Sequence, residues 1–94
     1  MLFSIICKAT SKSEIVIRNG IEYTKFNVEE RITMRNGKKG IIHHVVYQYD
    51  RHEYLPGDTM WITNGQLLVD DENKPFVLCS HTIAIRPSET SKTA

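Results

Sequence analysis

The chain has 94 residues, 40% of them hydrophobic and 24% charged, with a formal net charge of +1; that balance fits one globular domain and excludes the disordered and membrane-embedded classes. No apolar run approaches the ~18 residues that a spanning helix needs, and residues 1–7 are too short and lack the basic flank of a signal peptide, so a cytoplasmic protein with no membrane partner is expected. Charge is uneven along the chain: residues 1–39 carry eight Lys or Arg against four Glu, and residues 40–94 carry four against seven acidic residues, which makes the N-terminal half the candidate anion-facing side.

Short apolar and β-branched runs, broken every ten to fifteen residues by Gly, Pro, Asn and Asp, predict strands rather than helices. The first is expected over residues 2–10, with a short ancillary strand at 14–18 that enters the Asn19-Gly20 turn. Residues 21–33 predict a long strand with Thr24, Phe26 and Val28 on one face and Tyr23, Lys25, Asn27, Glu29 and Arg31 on the other. The break from Arg35 to Gly40 joins two glycines to three cations, so a basic hairpin loop is expected there. A further strand follows over 41–49, and residues 50–55 form a connector with room for one or two helical turns before Pro56-Gly57-Asp58 ends it. The next strand spans 59–69, with a bulge at Asn64-Gly65, and the last spans 76–85 after the Asp70–Pro75 loop. Residues 1–86 make one domain, and the Ser- and Thr-rich tail 87–94 is expected to be disordered.

Five strands, a long second strand and a connector between the third and fourth make the expected fold an all-β, five-stranded oligonucleotide-binding (OB) barrel with a short helical or irregular connector. An SH3-like barrel and a small sandwich are the alternatives.

Sequence-tolerant binding of a single strand needs a positive track for phosphates and flat side chains for bases. Lys25 and Arg31 share the outward face of the long strand, and Arg35, Lys38 and Lys39 crowd the loop after it. Tyr23 alternates with Lys25, an interleaving of ring and charge that suits a nucleic-acid surface. Trp61, between Met60 and Ile62, points outward if those two point inward, where it serves either to stack a base or to fill a subunit interface. Solubilising charge is the plainer reading of the cations, with Glu29 as a partner.

His43 and His44 are adjacent on a strand and leave opposite faces, and His52, His81, Cys7 and Cys79 form no ligand pair at usual spacing, so no metal and no cofactor are expected. Cys7 and Cys79 sit in apolar stretches and are expected as buried small hydrophobes rather than a disulfide. With no nucleophile elbow, no P-loop and only an exposed carboxylate cluster, neither catalysis nor a small-molecule substrate is expected.

The pieces in this order resemble the bacterial single-stranded-DNA-binding protein family and the related primosomal replication proteins. The carriers are Phe26-Asn27-Val28-Glu29-Glu30-Arg31, His43-His44-Val45-Val46-Tyr47, and Tyr54-Leu55-Pro56-Gly57-Asp58 followed by Trp61-Ile62 and Gly65-Gln66-Leu67. The resemblance covers residues 1–86 and implies a non-catalytic barrel that binds single-stranded DNA in replication, recombination or repair. It also implies a homodimer or homotetramer, for which the apolar run Leu2 to Ile6 offers an edge. By parity with the family, Tyr47 and Tyr49 lie on the inner face with His43 and Val45, which implies a core role for both; Tyr54 is a packing anchor.

The departures are specific. The positions matching the family's stacking aromatics are Met34, Ile42 and Gln48, none of them aromatic, and Asp70, Asp71 and Glu72 stand where a phosphate backbone would pass. The tail lacks the acidic-hydrophobic tip that recruits partners in the family. Such trimming is more like a primosomal, phage or plasmid version. An adaptor barrel that has lost its nucleic-acid face, or an RNA-binding OB domain, is the alternative function.

Overall fold

A computed structural model describes residues 2–80 and 82–86, and for residues 83–86 the backbone only. Seven strands follow in chain order: β1 (Leu2–Ala9), β2 (Glu14–Arg18), β3 (Ile21–Thr33), β4 (Lys39–Gln48), β5 (Thr59–Val69), β6 (Pro75–Cys79) and β7 (Thr82–Arg86). Five of them close a barrel in the order β1-β3-β4-β6-β5, with β5 pairing back onto β1. Every junction is antiparallel except β4 with β6, which is parallel. This is an OB-fold-like barrel. β2 is a flap on β3, and β7 extends the line of β6 along β5, so the expected last strand over 76–85 is two strands, β6 ending at Cys79 and β7 beginning at Thr82. The tail 87–94 lies outside the described residues.

The turns account for much of the register. Asn19 and Gly20 both take positive φ (52° and 78°), the two-residue turn that matches strand twist. At the β3–β4 tip the Gly37 N–H donates to the Met34 carbonyl and the Met34 N–H to the Lys38 carbonyl, with Gly37 at φ 81°. The β5–β6 loop repeats this geometry: Asn73 N–H donates to the Asp70 carbonyl, Asp70 N–H to the Lys74 carbonyl, and Asn73 fills the left-handed position at φ 67°. The expected bulge is present, since Phe3 pairs with Gly65 but Ile5 with Ile62, and Asn64 absorbs the extra residue at φ 53°. The 49–58 connector contains no helix. It is irregular and closes on a Pro56-Gly57 turn in which the Leu55 carbonyl accepts from the Asp58 N–H, while Asp58 Oδ2 accepts from the Leu55 N–H.

Alternation puts Cys7 and Ala9, Phe26 and Val28, Val46, Met60 and Ile62, and Val77 and Cys79 inside. Tyr54 plugs one end, its ring 4.5 Å from that of Phe26. Its hydroxyl donates to Gln48 Oε1 (3.0 Å) and also bonds Thr82 Oγ1, while Gln48 Nε2 donates to the Asp50 carbonyl (2.9 Å). Gln48 and Thr24 are thereby buried without an unpaired polar atom. Ser13 fastens the connector, its Oγ accepting from the Tyr54 N–H and donating to the His52 carbonyl. Both cysteines are buried and free, as expected.

Candidate nucleic-acid interface

Cross-strand partners on a sheet share a face. In the β3–β4 ladder Thr24 lies opposite Gln48, Phe26 opposite Val46 and Val28 opposite His44, so these residues form the inward row. Tyr47, opposite Lys25, is therefore on the outer face, half-buried, and Tyr49 is 47% exposed. This corrects the core role expected for the two tyrosines. It also explains why Gln48 offers no stacking surface, because its side chain is inside the barrel.

The consequence is an aromatic cluster on the outer surface. Tyr23 meets Tyr47 edge to face, with centroids 5.8 Å apart and planes at 88°, and lies 5.3 Å from Tyr49. Phe76 of β6 also meets Tyr47, with centroids 5.3 Å apart. Two cations lie over the same ring: Lys25 Nζ is 5.9 Å from its centroid and the Arg18 guanidinium 5.4 Å, with Arg18 Nη1 donating to the Tyr47 hydroxyl at 3.1 Å. Arg18 arrives through β2, whose outward residues Glu14, Val16 and Arg18 continue the same face. Arg18, Tyr47 and Phe76 were not among the residues expected from the sequence; the signal was the register with Thr24, Phe26 and Val28.

These residues line a cleft of about 280 Å³ between the β2–β3 turn and the β5–β6 loop, walled further by Leu68 and Val69. Asp70 and Asp71 stand at its far lip. The acidic loop is less repulsive than its composition suggests. Asp70 Oδ1 accepts from the Glu72 and Lys74 N–H groups (2.9 Å each), and Glu72 pairs with Lys74 at 3.4 Å.

The sequence-predicted site residues divide into three places. Tyr23 and Lys25 are in the cleft region. Arg31, Arg35, Lys38 and Lys39 occupy the other end of the β3–β4 ribbon, where the hairpin runs past the last β1 partner at Glu29 as an arm. Eight residues separate Lys25 from Thr33 at the base of the tip, roughly 27 Å at strand rise. The arm carries a second, broader cleft of about 480 Å³ beside Arg31, Lys39 and Ile41, and Lys39 Nζ donates to Thr33 Oγ1 (3.2 Å). Trp61 is outward and 42% exposed, but on the β1–β5 seam opposite Ile6 and outside the cleft. Met34 and Ile42 are exposed on the arm.

His43 is exposed, whereas His44 turns inward to Glu30 Oε1 at 3.1 Å, so the two diverge as expected. Among the described residues no three His, Cys, Asp or Glu come together as a metal cluster, and no helix is long and apolar enough to cross a membrane. Comparison of the chain with protein-family models and with curated proteins found no match.

Proposed function

We propose that this barrel is a non-catalytic single-stranded-DNA-binding protein that stacks bases on the Tyr23–Tyr47–Tyr49 surface and holds phosphates with Arg18 and Lys25. The observation that carries the reading is Tyr47, a half-exposed ring bordered by two cations in a cleft between two loops on the β3–β4 face. Stacked bases contribute roughly 1–3 kcal/mol each, enough for weak binding from one platform and useful affinity from two. The same face and paired loops bind oligonucleotides in OB barrels generally. Arg31, Arg35, Lys38 and Lys39 extend the positive track along the arm, so a strand leaving the cleft continues toward the hairpin tip.

Leu2, Ile6 and Trp61, outward and exposed along the β1–β5 seam, favour assembly into a homo-oligomer, and replication or recombination in a bacterial or phage cytoplasm is the setting that such a protein serves. The test is fluorescence anisotropy with a labelled single strand of mixed sequence in low salt. Saturable binding weakened by salt is expected; no binding at tens of micromolar protein sinks the reading. An RNA strand of the same sequence binding markedly tighter than DNA would move the assignment to RNA.

A further inference from the structure

The cleft has a charge split that a general strand-binding surface does not need. Arg18 and Asn19 stand at one lip and Asp70 and Asp71 at the other, with rings between them. Tyr23 and Phe76 both meet Tyr47 steeply, at 88° and 74°, and the charges over its ring are those of Arg18 and Lys25, so neither ring is stacked parallel on Tyr47. At about 280 Å³ the open cleft has room for a base. Asp70 is committed to the loop through its bonds to the Glu72 and Lys74 N–H groups, and Glu72 is held by Lys74. Asp71 is the carboxylate at the lip with no such duty in the turn.

We propose that this cleft seats one unpaired base and reads its Watson–Crick edge with the Asp71 carboxylate, favouring bases that present amino donors over thymine. The proposal rests on the strand-binding reading above and adds the base preference. A carboxylate is an acceptor only. It accepts from the N4 amine of cytosine, the N6 amine of adenine, or the N1–H and N2 amine of guanine; thymine flanks its single N–H with two carbonyls that a carboxylate repels. The same split orients the ligand. Phosphates go to the Arg18 and Lys25 side, which turns the base edge toward the 70–74 loop, so the acidic residues that oppose a backbone become the reading group for a base.

Oligo-dC and oligo-dT of equal length test this, because the two pyrimidines are alike in size and differ at the edge that faces the loop. Anisotropy titration of the wild-type chain is expected to give oligo-dC the tighter binding by about five- to tenfold. Asp71→Asn, whose amide offers an N–H to a thymine carbonyl, is expected to bring the ratio close to one, chiefly by improving oligo-dT. The turn survives that change because Asp70 and Asn73 make its hydrogen bonds. Oligo-dT binding as tightly as oligo-dC, or a ratio that Asp71→Asn does not move, overturns the base preference and leaves strand binding standing. Failure of every single strand to bind overturns strand binding and the preference with it.

Discussion

Arg18 meets Tyr47 in two ways at once: its guanidinium carbon lies 5.4 Å from the ring centroid, and its Nη1 donates to the phenolic oxygen at 3.1 Å. The residues are 29 apart in sequence and join the β2 flap to the barrel wall. The contact ties the flap to the barrel wall and places a positive charge over the Tyr47 ring.

Replacing that ring separates stacking from anchoring. Tyr47→Ala is expected to weaken single-strand binding by about 1–3 kcal/mol, whereas Tyr47→Phe keeps the plane, gives up only the Arg18 bond, and stays within a few-fold of wild type. Anisotropy titrations of both variants measure the difference. Equal losses for Ala and Phe would show that the ring is not a base platform.

The arm contributes charge at a distance from the cleft, and its signature is the dependence on salt. With Lys38 and Lys39 both changed to Glu, the slope of log K against log salt is expected to flatten by about 0.7 for each phosphate that the arm no longer neutralises. Both side chains are exposed, so thermal unfolding should barely move. A slope equal to that of wild type would remove the arm from the binding track.

Tyr54→Phe tests the plug. The variant keeps the ring against Phe26 but deletes the donor to Gln48 Oε1, leaving a buried amide oxygen unpaired. The expected cost is about 1–3 kcal/mol by urea denaturation. A neutral result would mean that Gln48 finds another donor.

The two thiols predict an alkaline limit. Burial pushes Cys7 and Cys79 from the ordinary value of 9.0 up to about 12. The folded chain thus keeps protons that the unfolded chain releases, so this contribution is complete below pH 9 and is lost as pH rises from 9 toward 12. At its steepest the loss is about 1.4 kcal/mol per pH unit for each thiol. Cys79→Val is expected to reduce that slope by one proton, read from urea midpoints across the range; an unchanged slope would place the titration elsewhere.

Local chemistry in the chain determines the β class, the strand spans up to residue 69 to within a residue or two, the Asn19-Gly20 turn, the bulge at Asn64 and the inward row Thr24, Phe26 and Val28. These depend on alternation and on residues that tolerate positive φ, which neighbouring positions reveal. The face of residues 43–49 is different. His43, Val45, Tyr47 and Tyr49 alternate with His44, Val46 and Gln48, and neither set is clearly apolar, so hydrophobicity does not choose between them. The choice was made by pairing of Thr24 with Gln48, since a one-residue slip would turn every side chain over, and by a core in which Tyr54 and Asp50 satisfy a buried glutamine. Only that tertiary register put Tyr47 and Tyr49 outside with Tyr23 and brought Arg18 and Phe76 to them. The cleft is assembled from several strands and two loops, and separations of that length leave no mark in local sequence.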